Sequence, residues 1–119
     1  FHSHGLIGAA LASLAAGGSV VCTPGVDPRR VVHWARDTEC TWYTAAPTVH
    51  RLVLGAPGDW KGFRLLRSAS APLPPQLAEQ LERRFDAPMI EVYGMTESYQ
   101  IAANPIPPGE RRRGGAGRG

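Results

Sequence analysis

The stretch Met89-Ile-Glu-Val-Tyr-Gly-Met-Thr-Glu97 decides how this chain is interpreted. Its first half is mostly apolar and β-branched and ends in Tyr93, which predicts a β-strand, and Gly94 predicts a sharp turn directly after it. A hydroxyl on Thr96 and a carboxylate on Glu97 follow. An aromatic ring can stack on a purine, a glycine lets a phosphate approach the backbone, and a carboxylate suits Mg²⁺. The alternative is structural: Tyr93 lies in the core and Glu97 caps a helix.

Three other short runs of apolar or β-branched residues predict strands at 19–22, 41–44 and 64–68, before the strand at 89–93. Segments with helical periodicity separate these runs. Strands that alternate with helices of about ten residues are typical of βαβ crossovers. The sequence therefore predicts an α/β fold with a mainly parallel sheet and flanking helices.

Two segments follow predicted strands and are candidate ligand loops, because ligands of parallel sheets bind beyond the carboxyl ends of the strands. One is Tyr93–Glu97. The other is Ser68-Ala-Ser-Ala-Pro-Leu73, whose small residues leave backbone groups open and whose Pro72 fixes the exit into a helix. An ordinary strand-to-helix connection is the alternative for this second loop.

The segment Phe1-His-Ser-His-Gly5 carries two imidazoles near the start of a predicted helix. Residues two apart do not share a helix face, so His2 and His4 do not predict a zinc pair. They remain candidates for contacting a bound acid, with a surface or capping role as the alternative.

These three segments together resemble the acyl-adenylate-forming enzymes, which include acyl-CoA synthetases, luciferases and peptide-synthetase adenylation domains. Tyr93-Gly-Met-Thr-Glu97 resembles their Tyr-Gly-x-Thr-Glu core, and the other two segments occur in the same order. The resemblance implies that the chain is a slice of the large N-terminal domain of an adenylating enzyme. Such an enzyme joins ATP and a small-molecule carboxylate into an acyl-AMP and passes the acyl group to coenzyme A.

The resemblance also implies roles for single residues. Thr96 and Glu97 are expected to be catalytic, with Glu97 as the Mg²⁺ ligand. The expected ATP and AMP site comprises Ala69, Ser70, Ala71, Pro72, Glu91, Val92, Tyr93, Gly94, Met95 and Thr96.

The resemblance is greatest to oxalate–CoA ligases, with malonyl-CoA synthetases similar, and rests on residues 41–50, 68–71 and 91–97 and on Asn104-Pro-Ile-Pro107. It implies a small dicarboxylate substrate, and the absence of an Asp beside the N-terminal histidines argues against an amino acid. Expected substrate contacts are His2, His4, His50 and Ser70, with Arg51 as a further cation. The alternatives are a fatty or aryl acid–CoA ligase, an adenylation domain that loads a carrier protein, and a non-enzymatic α/β interaction module.

The net charge of +3 is confined to one end of the chain. Residues 1–109 hold nine Lys or Arg and nine Asp or Glu, whereas residues 110–119 hold four Arg and one Glu. A nucleic acid requires a basic face with several phosphate contacts, so no nucleic-acid partner is predicted. Residues 1–109 are expected to form a partial AMP-binding domain, and residues 110–119 a solvated Arg/Gly-rich end that is truncated within the domain.

The apolar stretch from residue 6 to residue 18 is too short for a membrane span and lacks the basic flank of a signal peptide. We therefore expect a cytoplasmic protein without a membrane span. By the family resemblance, a phosphate loop should precede residue 1 and a catalytic lysine should follow residue 119. The 119-residue chain alone is accordingly expected to be inactive.

Overall fold

A computed structural model describes residues 2–25 and 27–117, which form a four-stranded sheet with helices around it. The strands, in their order across the sheet, are β1 (Trp42–Ala45), β2 (Leu65–Ser68), β3 (Met89–Met95) and β4 (Tyr99–Ala103). The first three are parallel, and β4 pairs antiparallel with β3. The predicted α/β class with a mainly parallel sheet is confirmed.

Helical elements precede β1 and connect β1 to β2 and β2 to β3. Their bounds are α1 (Ser3–Gly5), a π-helix (Leu6–Leu11), α2 (Ala12–Ala15), a 3₁₀ turn (Pro28–Arg30), α3 (Val31–Asp37), α4 (Pro47–Leu54) and α5 (Pro75–Phe85). The 3₁₀ turn begins where an N-cap followed by proline predicts a helix start, and the Asp27 carboxylate accepts a hydrogen bond from the backbone N–H of Arg29.

The main core lies on one face of the sheet, against α3, α4 and α5. Leu66 on β2 is completely buried there, and so are Leu81 and Phe85 on α5. The rings of Phe63 and Phe85 meet edge to face with their centroids 5.4 Å apart, a favourable geometry for aromatic pairs. Since side chains alternate along a strand, Arg67 lies on the opposite face from Leu66.

The strand predicted at 19–22 does not form. These residues are irregular, and Val20 and Val21 are 37% and 45% exposed. The β-branched pair has a high strand propensity, but a strand also needs a hydrogen-bonded partner. Among the described residues β1 pairs only with β2, so its other edge is free and residues 19–22 do not pair with it as a strand.

The turn predicted at Gly94 is also wrong, because β3 continues to Met95 and the chain reverses at residues 96–98. A Cβ added at Gly94 would overlap the Tyr99 carbonyl oxygen and lie 2.9 Å from its carbonyl carbon. The glycine therefore serves the close pairing of β3 with β4 at a bulge between Tyr93 and Gly94. The strand β4 is not predicted from the sequence.

Residues 110–117 are exposed or half-buried, and part of this segment contacts α5. Arg111 is paired with Glu82 on α5, and Arg113 Nη1 lies 3.0 Å from the Glu79 carboxylate. The buried Asn104 side chain accepts a hydrogen bond of 2.8 Å from the Arg112 backbone N–H. Much of the basic end is thus neutralised by α5. No helix in the described part of the chain is long and apolar enough to cross a membrane.

Candidate nucleotide and acid site

A cavity of about 310 Å³ lies at the carboxyl ends of β2 and β3, where the fold class predicts a ligand site. It is lined by His2, Ser3, His4, Arg67, Ala69, Ser70, Val92, Gly94, Met95, Thr96, Glu97, Tyr99 and Gln100. The three candidate segments, which are far apart in sequence, therefore meet at one place. The hydroxyl of Thr96 and the carboxylate of Glu97 share this cavity with the loop after β2.

The loop after β2 turns sharply at Ser70, which has a φ of 77°. This left-handed conformation is costly for a non-glycine residue and is typical of functional sites. The adjacent Ala69 is buried, and its backbone N–H donates to the Ala45 carbonyl at the end of β1. The loop therefore projects Ser70 toward the cavity from a fixed base.

His4 is held in place by two hydroxyl groups. Its Nδ1 lies 3.1 Å from Ser70 Oγ, and its Nε2 is hydrogen-bonded to Thr44 Oγ1. Burial lowers the pKa of His4, and the nearby charge of Arg67 lowers it further. His4 is consequently a neutral, oriented imidazole in this structure, whereas the exposed His2 lies at the rim of the cavity.

His50 is not available to a substrate, contrary to the sequence-based expectation. It is completely buried, its Nδ1 lies 2.8 Å from the Tyr43 hydroxyl, and its Nε2 lies 3.1 Å from the Arg67 carbonyl. Both ring nitrogens are therefore engaged inside the protein. Arg51 is exposed on α4 and does not line the cavity either.

Arg67 is the functional candidate that sequence reasoning missed. It is 9% exposed and lies on the cavity side of β2, opposite the core. The signal in the sequence was a single charged residue inside the otherwise apolar run Leu65-Leu-Arg-Ser68. Charged residues are rarely buried unless they are paired or functional.

Four residues of the expected nucleotide site do not line this cavity, namely Ala71, Pro72, Glu91 and Tyr93. Tyr93 lies on β3 between Val92 and Gly94, which do line it, so its ring is on the other face; the residue is 53% exposed. Glu91 is buried and accepts a 3.2 Å hydrogen bond from the Gly114 N–H. Burial raises the pKa of Glu91. Their roles toward ATP remain predictions.

Glu97 is an exposed carboxylate at the cavity. Within residues 2–25 and 27–117, no group of three or more His, Cys, Asp or Glu side chains is arranged to hold a metal. Mg²⁺ does not need such a cage, since it is commonly held by one or two carboxylates together with water and substrate phosphates. A single accessible carboxylate beside the Thr96 hydroxyl fits that mode of binding.

Comparison with known proteins places these observations in a family context. The sequence model of the family described as "AMP-binding enzyme" matches residues 1–118. The oxalate–CoA ligase of Saccharomyces cerevisiae is 38% identical over 120 residues, which cover 98% of this chain and 22% of that enzyme. The sulfoacetate–CoA ligase of Cupriavidus necator is 39% identical over 121 residues, which cover 99% of this chain and 24% of that enzyme.

The crystal structure of ATP-bound MatB from Rhodopseudomonas palustris superposes with a TM-score of 0.85 at 31% sequence identity. The match covers 98% of this chain and 23% of that one. The chain thus spans less than a quarter of the length of these relatives.

Proposed function

We propose, because this chain belongs to the family of AMP-binding enzymes, that the full-length protein carrying it is an ATP-dependent acid–CoA ligase. The carboxylate of the acid attacks the α-phosphorus of ATP, pyrophosphate leaves, and an acyl-AMP forms. The thiol of coenzyme A then attacks the acyl carbon, an acyl-CoA forms, and AMP leaves. The first step transfers an adenylyl group and the second transfers an acyl group, and neither involves oxidation or reduction.

The observation that carries this proposal is the meeting of three segments at one cavity. The Thr96–Glu97 turn supplies a hydroxyl and a carboxylate, the Ala69–Ser70 loop supplies backbone groups, and His4 supplies an oriented neutral imidazole. Thr96 would donate to a phosphate oxygen. Glu97 would hold Mg²⁺, which offsets negative charge on the phosphates. Tyr93, which does not line the cavity, is the proposed adenine contact from the sequence motif alone.

We further propose that the acid is a small dianion, with oxalate ahead of malonate. Two of the most similar relatives are named for acids with two anionic groups, oxalate and sulfoacetate. His2, His4 and Ser70 are the proposed substrate contacts from the sequence motifs.

The test is to purify the full-length protein and to measure acid-dependent pyrophosphate release with ATP and Mg²⁺. The acids are oxalate, malonate, sulfoacetate, octanoate and coumarate, each with coenzyme A or with a phosphopantetheinylated carrier protein as the acceptor. Oxalate with coenzyme A should give the highest kcat/KM. A preference for octanoate or coumarate would contradict the dianion proposal alone, and no turnover with any acid would contradict the ligase proposal.

A further inference from the structure

The guanidinium group of Arg67 is buried but only partly hydrogen-bonded. Nη2 lies 3.2 Å from the amide oxygen of Gln100 on β4 and donates to it. Nη1 is shielded from solvent and has no hydrogen-bond partner among residues 2–25 and 27–117. No ion pair joins Arg67 to an Asp or Glu within those same residues. A charged donor in a cavity wall is thus left without an acceptor.

Such an arrangement is costly unless a ligand completes it. A buried donor without a partner loses its hydration, and the loss is larger when the group is charged. A guanidinium cannot escape this cost by losing its proton, because its pKa is too high. The neutral amide of Gln100 offsets none of the charge. An anion in the cavity beside the guanidinium group would supply the missing negative charge.

The backbone holds the Arg67 head in a defined position. Gly8, which is buried in the π-helix Leu6–Leu11, packs directly against it. A Cβ built on Gly8 would lie 2.9 Å from Nη1 and 3.1 Å from Nη2, and it would also meet the Tyr99 hydroxyl. An alanine at this position would require the ends of the Arg67 and Tyr99 side chains to shift. Gln100 on one side and Gly8 on another therefore restrict the orientation of the guanidinium.

His4 is poorly suited to supply this positive charge. Burial and the nearby Arg67 both lower the pKa of His4, and its two nitrogens already meet Ser70 and Thr44. The cation that faces the acid from inside the cavity is consequently Arg67.

We propose that Arg67 is a specificity-determining residue whose guanidinium group binds the second anionic group of the acid, a carboxylate or a sulfonate. This inference rests on the proposed acid–CoA ligase function and adds the residue that distinguishes a dianion from a monocarboxylate. The first carboxylate of the acid remains free to react with ATP. Gln100 and Gly8 act as positioning residues for the Arg67 head.

The experiment compares the wild-type full-length protein with Arg67→Met and with Arg51→Met. The second variant is the matched control, because Arg51 is an exposed arginine outside the cavity. Each protein is assayed for pyrophosphate exchange with oxalate, malonate and the monocarboxylate acetate. A charge-assisted hydrogen bond is typically worth about ten- to a hundredfold in binding. Arg67→Met should lower kcat/KM for the two dianions by about this factor relative to acetate, whereas Arg51→Met should not.

The KM for ATP distinguishes a specific effect on acid binding from a general disturbance of the folded site. It should stay unchanged in Arg67→Met if the residue acts on the acid. A second measurement uses only the wild-type protein, so it does not depend on the folding of a variant: oxamate, in which an amide replaces one carboxylate of oxalate, should be a substrate about ten- to a hundredfold poorer than oxalate.

Two outcomes would overturn the inference while the proposed function stands. One is an unchanged ratio of dianion to acetate turnover in Arg67→Met, and the other is equal use of oxamate and oxalate by the wild type. If the wild-type protein showed no pyrophosphate exchange with any of the acids, the ligase proposal and this inference would both be overturned.

Discussion

The hydroxyl of Tyr43 donates a hydrogen bond of 2.8 Å to Nδ1 of His50 and thereby fixes the tautomer of a completely buried imidazole. Nδ1 must accept because Nε2, 3.1 Å from the Arg67 carbonyl, is the nitrogen that donates. Burial lowers the pKa of His50 to about 4, although the hydrogen bond to the Arg67 carbonyl opposes the shift. His50 thus ties the core around Tyr43 to the backbone of the residue that faces the cavity.

This arrangement predicts a loss of stability in mild acid. The folded state keeps His50 neutral down to about pH 4, whereas the unfolded chain protonates it near its ordinary pKa of about 6.5. The unfolded state therefore binds more protons in this window, and stability falls as the pH drops through it. The full effect corresponds to about 3 kcal/mol.

The measurement is urea unfolding of the full-length protein and of His50→Gln between pH 7 and pH 4. The wild type should lose its stability advantage over the variant as the pH falls, because glutamine does not titrate. The exposed His33 offers a matched control, since His33→Gln leaves the buried imidazole in place. Parallel pH profiles for wild type and His50→Gln would contradict this account.

Gly94→Ala should destabilise the β3–β4 hairpin. The new Cβ would overlap the Tyr99 carbonyl oxygen and lie 3.1 Å from the Gln100 Cα, and backbone atoms cannot move aside as a flexible side chain can. Overpacking of this kind costs about 1–3 kcal/mol. Thermal unfolding would measure the loss. Gly5→Ala is the matched control, because its Cβ meets no atom within 4 Å, and an equal effect in both variants would contradict the explanation.

The same glycine shows where sequence reasoning succeeded and where it failed. The alternation of apolar runs with helical periods was sufficient to predict three parallel strands and the edge at which the loops meet. The turn at Gly94 was misplaced because a glycine in a strand can equally mark a bulge where another backbone approaches closely. Whether Gly94 marks a turn or a bulge depends on the presence of β4. The turn that leads into β4, at residues 96–98, contains no glycine or proline by which it could be predicted.

The sequence was sufficient to predict which loops form the candidate site, but not which charged or polar side chains face it. The positions of Thr96, Glu97 and Ser70 followed from strand ends, which are local features of the sequence. The roles of His50 and Arg67 depended on which face of α4 or β2 each side chain occupies relative to the core. The sequence does not show which face either residue occupies, and only the packing distinguishes a buried structural imidazole from a guanidinium that faces a cavity.

Arg84→Lys should cost more stability than its conservative appearance suggests. The guanidinium of Arg84 on α5 donates to four carbonyls at and beyond the end of α4, on Val53, Leu54, Ala56 and Gly58. A lysine carries three donors on one atom and cannot span these acceptors. We expect a loss of about 2–4 kcal/mol, since hydrogen bonds from charged donors are worth about 1.5–3 kcal/mol each.

The neighbouring Arg83 provides the control for this substitution. It is exposed and pairs with Glu79 one turn earlier at 3.3 Å, and exposed helix pairs contribute only about 0.3–0.5 kcal/mol. Chemical denaturation of both lysine variants gives the comparison. Similar losses in the free energy of unfolding at the two positions would show that the α4–α5 contact does not depend on the two donating nitrogens of the Arg84 guanidinium.

Glu97→Gln in the full-length protein should impair adenylate formation without comparable loss of stability. Glu97 is exposed at the cavity and is not paired with any Lys, Arg or His among residues 2–25 and 27–117, so its removal costs the fold little. An amide keeps the shape of the side chain but is a poorer ligand for Mg²⁺ than a carboxylate. We expect the Mg²⁺ concentration for half-maximal pyrophosphate exchange to rise at least about tenfold, as is common when a metal site is disturbed. Glu110→Gln, at an exposed position outside the cavity, should leave this concentration unchanged. If Glu97→Gln also leaves it unchanged at limiting Mg²⁺, Glu97 only shapes the turn between β3 and β4, and another group holds the metal.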